Sequence, residues 1–160
     1  MMTVELIVIG NLKEKYLSDG CDEYIKRLSR YCRIKVTELT ECQVKDNPSP
    51  KEIELCLEKE AQQVNKKFVP TSQKIVMCVE GVQKSSEDLA QYFMNQSVKG
   101  VSNIQIVIGS SHGLSDRIKQ CADLKLSVSK MTFPHQLMRL IILEQVYRAF
   151  SINNNSKYHK

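Results

Sequence analysis

No tryptophan is present, only 6 of 160 residues are glycine and 4 are proline, and no apolar run approaches the length of a membrane span. A bilayer-crossing helix needs about 20 consecutive apolar residues. The apolar start, Met1 to Ile9, is far shorter and carries Glu5. It lacks a basic leader and a small-residue cleavage site, so it reads as a first strand rather than an export signal. No C-x-x-C pair occurs among Cys21, Cys32, Cys42, Cys56, Cys78 and Cys121. That spacing argues against a zinc or redox motif, and no metal is expected. Scattered cysteines without an export signal suit a reducing, cytoplasmic setting, each as a small buried apolar side chain.

What is present fits one domain spanning 1–160. Hydrophobic residues make up 42 % and charged residues 26 % of the chain, ordinary values for a globular protein. That length buries a core without staples. The net charge of +5 is unevenly placed. Arg117 to Lys160 holds eight Lys/Arg against Asp123 and Glu144 alone, while Glu41 to Lys67 is near balance with six acids and five bases. A basic end on a near-neutral middle favours a phosphate-rich partner, although a solvated basic surface gives the same pattern.

Strand and helix patterns alternate throughout. Strands are expected at 4–9, 34–39, 74–79, 104–108 and 124–128. Helices are expected at 13–30, from Pro50 to about Phe68, from Ser86, briefly from Ser115, and over 134–151. In the first helix, Tyr16, Leu17, Tyr24, Ile25 and Leu28 recur at helical spacing. Ser49, Pro50 and Glu52 form a helix-start signature. Strands separated by helices imply an α/β fold with a mostly parallel sheet flanked by helices. The apolar runs at 75–79 and 104–108 belong in its centre, and the alternating run at 34–39 nearer an edge.

Ligands of such sheets bind beyond the carboxyl ends of the strands, which selects the loops Glu80–Ser85, Gly109–Leu114 and Ser127–Phe133. The second, Gly109-Ser110-Ser111-His112-Gly113-Leu114, has two glycines that permit close ligand approach, and a following helix start whose N–H groups suit polar ligands. It matches neither a dinucleotide fingerprint nor a P-loop. The third mixes hydroxyls with Met131 and Phe133, as a wall around a flat ring would; a plain connecting loop fits equally. In the last helix, polar residues cluster at both ends, His135, Gln136 and Arg139 at one and Glu144, Gln145, Arg148 and Ser151 at the other. That distribution indicates cover on several faces, by a second subunit or within one chain. The tail Asn153 to Lys160 has the composition of a disordered end.

At these loops the chain resembles a known family. Val107-Ile108-Gly109, Ser127-Val128-Ser129-Lys130-Met131-Thr132-Phe133-Pro134-His135-Gln136, Leu143-Glu144-Gln145-Val146-Tyr147-Arg148 and Tyr158-His159-Lys160 closely resemble the RlmH family. Its members are ribosomal RNA large-subunit methyltransferases of the SPOUT superfamily. Gly10 to Tyr16, Tyr24 to Leu28 and Ser85-Ser86-Glu87 match as well, so the likeness covers essentially the whole chain. The resemblance implies an α/β fold with a C-terminal trefoil knot, a homodimer, and S-adenosylmethionine as methyl donor. It implies transfer to N3 of a pseudouridine in 23S rRNA of assembled ribosomes. The family's cofactor positions map to Met77, Gly109, Val128, Ser129, Lys130, Met131, Thr132 and Phe133. Tyr158 and His159 fall to the substrate side, near the subunit interface. The chain departs from most relatives at Ser110, where they carry a second glycine, and in the asparagine run before Tyr158.

The chemistry so implied needs the acceptor imide to lose a proton and the reacting atoms to be held in line. His159, His135, Arg139 and Arg148 are the candidates to assist, with His159 and Arg148 preferred. Lys13, Lys26, Arg27 and Arg30 are candidate phosphate contacts. The competing readings are an inactive RNA- or ribosome-binding relative of the same fold, and a methyltransferase for another RNA site.

Overall fold

Five parallel strands form one sheet in a computed structural model that describes residues 1–159; Lys160, the last position of the terminal match, lies outside the described residues. The strands are β1 (Thr3–Ile9), β2 (Arg33–Leu39), β3 (Gln73–Gln83), β4 (Asn103–Ile108) and β5 (Leu124–Ser127), in the order β2-β1-β4-β3-β5. The connecting helices are α1 (Lys15–Leu28), α2 (Pro50–Lys67), α3 (Ser86–Val98) and α4 (Asp116–Gln120), and α5 (His135–Asn153) follows β5. The expected elements are all there. β4 is central, β2 is an edge and β3 lies one strand in from the other edge.

Period-2 alternation sorts the core into two layers. Val4, Leu6 and Val8 of β1, with Ile104, Ile106 and Ile108 of β4, pack towards α1, α3 and α5. Ile7, Ile9, Val76 and Val107 point the other way, against Ala61 and Val64 of α2 and Ile118 of α4. The start of α2 is built as the sequence reads, with Ser49 Oγ accepting from the Glu52 N–H at 3.2 Å, and α3 is capped one residue before its expected Ser86 start, by Ser85 Oγ accepting from the Asp88 N–H at 3.0 Å.

Four expectations need correction. Tyr16 is 68 % exposed, and Leu17, Cys21 and Leu28 form the buried stripe of α1 instead. Glu80 to Gln83 is not loop: β3 continues, with both Met77 and Val82 set against Leu126 across a register shift. The shift works because Gly81 lies against the Lys125–Leu126 backbone, where a Cβ would come within 2.7 Å. The cysteines are not all independent apolar side chains, since Cys42 and Cys56 form a disulfide with Cα atoms 5.4 Å apart. The tail as far as His159 is docked, not loose, as described below.

Candidate active site

α5 is covered all along its length: no residue from His135 to Asn153 is exposed. It lies between α1 and α3. Two separate candidate clusters lie at the two ends of this helix.

The first is a cavity of about 680 Å³ at the carboxyl ends of β3, β4 and β5. This volume lies within the range of small-molecule sites. Met77, Ile108, Leu126, Phe133 and Met138 give it apolar walls, and serines and backbone from the two loops give it polar ones. The loop after β4 is tight. The Gly113 N–H donates to the Ser110 carbonyl at 2.9 Å, with Gly113 at a φ of +85° that favours glycine. Gly109 faces this turn so closely that a Cβ would sit 2.4 Å from the Gly113 oxygen. The Ser110 side chain turns away from solvent and donates to Glu60 Oε1 at 2.8 Å.

The loop after β5 is held by its own hydroxyls. Ser127 Oγ donates to the Ser129 carbonyl at 2.8 Å, and the Met131 N–H donates to Ser129 Oγ at 3.0 Å. Of the eight positions assigned to the cofactor, Met77, Gly109, Val128, Ser129, Met131, Thr132 and Phe133 line the cavity, and Lys130 does not. The helix start after Gly113 is also less open than expected, because Ser115 Oγ already accepts from the Ile118 N–H. Sequence reasoning missed Lys119 and reached Glu80 only as the first residue of the Glu80–Ser85 segment; both stand on the cavity wall, paired at 2.5 Å. That contact holds the Glu80 carboxyl below its ordinary range. No periodic signal marks a pair 39 positions apart.

The second cluster gathers Arg148, Tyr158 and His159, as expected, around Glu144. Arg148 Nε and Nη2 donate to Glu144 Oε1 at 3.0 and 2.7 Å, and Tyr158 Oη donates to the same oxygen at 3.1 Å. The Tyr158 ring packs on Tyr147 with centroids 4.7 Å apart, and the Arg148 guanidinium lies over it at 4.8 Å. Burial, the Tyr24 hydroxyl and the Glu144 charge push the Tyr158 hydroxyl well above its ordinary value, so it stays protonated and is a donor, not a base. His159 Nε2 lies 2.7 Å from Glu87 Oε1, and Nδ1 lies 3.3 Å from Arg148 Nη1. A proton on Nε2 satisfies the carboxylate and leaves the Nδ1 lone pair facing the guanidinium.

The other two candidates separate. His135 lines the cavity. Arg139 is buried and committed elsewhere, donating to Glu38 Oε2 at 2.9 Å and the Gly10 carbonyl at 3.2 Å. It ties α5 to β1 and β2 rather than facing a ligand.

Arg148, Tyr158 and His159 do not line the cavity. Met138 and Arg148 are ten helical positions apart, roughly 15 Å along α5. Within one chain the two clusters do not meet.

A parallel α/β sheet with a ligand-sized cavity at its carboxyl edge defines an α/β small-ligand-binding protein. The comparisons give the family: a model described as "Predicted SPOUT methyltransferase" matches residues 2–159, and the chain belongs to that family. It is 45 % identical over 159 residues to a Clostridioides difficile protein named Ribosomal RNA large subunit methyltransferase H, covering 99 % of this chain and all of that one. A protein of the same name from Clostridium perfringens is 48 % identical, and one from Leuconostoc mesenteroides 44 %, each with the same coverage.

Proposed function

We propose that the chain is a single-domain, S-adenosylmethionine-dependent methyltransferase. It acts as a homodimer in the cytoplasm on N3 of a pseudouridine in the 23S rRNA of assembled ribosomes. The observation that carries this reading is the division of labour along α5: a nucleoside-sized cavity at one end, and an arginine–tyrosine–histidine cluster at the other. The names of the full-length relatives support the RNA part of the assignment.

The cavity residues fit the donor. The apolar walls at Met77, Leu126 and Phe133 suit an adenine ring, and the backbone of Gly109 and of Val128 to Phe133 offers groups to read its edge. Bound S-adenosylmethionine supplies a methyl group made electrophilic by its sulfonium. The residues of this chain do the rest by positioning. Arg148 is kept cationic by its contacts to Glu144, and a fixed positive charge favours the ionised acceptor nitrogen. The Nδ1 lone pair of His159 is the site for the imide proton once Arg148 turns to the substrate. Tyr158 donates a hydrogen bond from a hydroxyl that stays protonated.

Because the clusters of one chain stand apart, the cavity of one subunit works with the tail of the other. Leu137 and Ile141, half-buried on α5, supply apolar surface for that pairing. Exposed Lys13, Lys26 and Arg30 on and beside α1 are available to phosphates, whereas Arg27 is paired with Glu23 at 2.9 Å.

The test is mass spectrometry of 23S rRNA from a strain lacking the gene, with calorimetry of the purified protein and S-adenosylmethionine. Loss of one methylated pseudouridine and micromolar donor binding are expected. An unchanged modification map removes the ribosomal assignment, and no donor binding removes the enzyme.

A further inference from the structure

Glu60 is the one carboxylate on α2 that reaches the cavity wall, and it is 3 % exposed. Among the described residues it makes no ion pair; its two oxygens are used instead by two neutral donors. Oε2 accepts from the Cys42 N–H at 3.0 Å, and Oε1 accepts from Ser110 Oγ at 2.8 Å. Burying a carboxylate without a cation is costly, and here burial pushes its pKa upwards. A purely structural link between α2 and the segment after β2 does not require it. That segment is already fastened by Gln63, whose side chain exchanges two hydrogen bonds with the Thr40 backbone. What Glu60 adds is the second contact, to a residue that lines the cavity and carries the Ser110–Gly113 turn.

We propose that Glu60 is a positioning residue for the donor site: it fixes Ser110 against the rigid α2 frame and so holds the Gly109–Leu114 loop in its binding shape. The proposal rests on the reading of the cavity as the S-adenosylmethionine site. Geometry, not charge, is what matters, since a glutamine can accept from the Cys42 N–H with its oxygen and donate to the Ser110 hydroxyl with its nitrogen.

The test compares wild type, Ser110→Ala, Glu60→Gln, Glu60→Ala and the double alanine variant. Amide exchange without ligand, calorimetry with S-adenosylmethionine and steady-state methylation kinetics are measured for each. Ser110→Ala should raise the Kd and KM for the donor about tenfold, the size of one lost hydrogen bond to a charged group. Its kcat should stay near wild type, its melting temperature should fall by a few degrees because Glu60 Oε1 is left buried without a donor, and the Gly113 amide should exchange faster. Glu60→Gln should stay within about threefold of wild type, and the double variant should bind no worse than Glu60→Ala. Wild-type affinity in a folded Ser110→Ala protein overturns the proposal, as does a loss in kcat with KM unchanged. If wild type itself binds no donor, the cavity assignment fails; Gly113 exchange then still decides whether the clamp exists, and unchanged exchange in Ser110→Ala rejects it.

Discussion

Two inactive variants should restore each other's activity. Gly109→Val places bulk where even a Cβ meets the Gly113 oxygen at 2.4 Å, so it should displace the Gly109–Leu114 loop and abolish donor binding by any subunit carrying it. His159→Ala leaves the cavity intact and removes a ring held between Glu87 and Arg148. In-line transfer needs the reacting atoms within about 3.5 Å, whereas the clusters lie roughly 15 Å apart along one α5. On the proposed homodimer, each site draws on the cavity of one subunit and the tail of the other. In a heterodimer of the variants, one site combines both lesions and the other combines neither. Co-expression with two different tags and tandem purification yields that heterodimer, and its activity on ribosomes should be about half that of wild type. Each parent homodimer should be near background, with melting curves confirming that both are folded. A heterodimer no more active than its parents would show that each cavity uses its own tail, and the trans assignment would fall. Full activity of the His159→Ala homodimer would remove the tail from the chemistry altogether.

Three other perturbations have defined outcomes. Gly109→Ala should weaken donor binding about tenfold or more and cost about 1–3 kcal/mol of stability, because two of its three closest contacts are backbone; calorimetry and thermal unfolding check both. Burial alone would raise the pKa of Glu5, but hydrogen bonds from Thr37, Gln105 and Lys35 outweigh it and the net shift is downwards. Its contribution is thus complete above the ordinary carboxylate range and lost as pH falls through the depressed value, so Glu5→Gln should cost about 2 kcal/mol near neutrality and progressively less in acid, measured by urea unfolding. Cys42→Ser opens a loop of sequence separation 14 and should lower stability by about 2–3 kcal/mol under oxidising conditions, with no effect once wild type is reduced.

The repeating parts of the fold were legible because their signals are local. Short apolar runs marked most strands and a strict alternation marked β2, while Ser49 marked the start of α2 by a hydroxyl that reaches its own first turn. What stayed hidden joins residues far apart in the chain. Ser110 and Glu60 are 50 positions apart, and Arg139 and Gly10 are 129 apart. Neither pair leaves a pattern on its own element: Arg139 reads as the polar side of a helix start, and Glu60 as one more surface acid. β3 ran past its expected end for a similar reason. Gly81 looks like a terminator, yet its missing Cβ is what lets the backbone cross Lys125–Leu126 and pair again at Val82. The cavity was legible one level up, through the rule that ligands bind beyond strand ends. Six of the seven assigned lining residues lie in two of the loops that this rule selects, and Met77 came from the family resemblance alone.

The tail shows why composition misled. Its asparagines look like solvent-exposed filler, but they end α5 and turn the chain back on it. The Ser156 N–H donates to the Ser151 carbonyl at 2.8 Å and the Asn155 N–H to the Ile152 carbonyl at 3.1 Å, with Asn155 at a φ of 53°. This is the paired closure of a Schellman helix end, in which the left-handed position falls to glycine or asparagine. The turn directs Tyr158 onto Tyr147 and His159 towards Glu87, so the cluster depends on a backbone angle and not only on its own side chains. Asn155→Gly should keep both the turn and full methylation. Asn155→Val, with a branched Cβ at a left-handed position, should cost about 1–2 kcal/mol. Because the strain sits at the chain end, it should appear as a released tail rather than as global unfolding. The Ser156 amide should exchange freely, the core amides should stay protected, and methylation should fall while donor affinity holds. Full methylation by a protein whose Ser156 amide is unprotected would show that the docked tail is not the working arrangement.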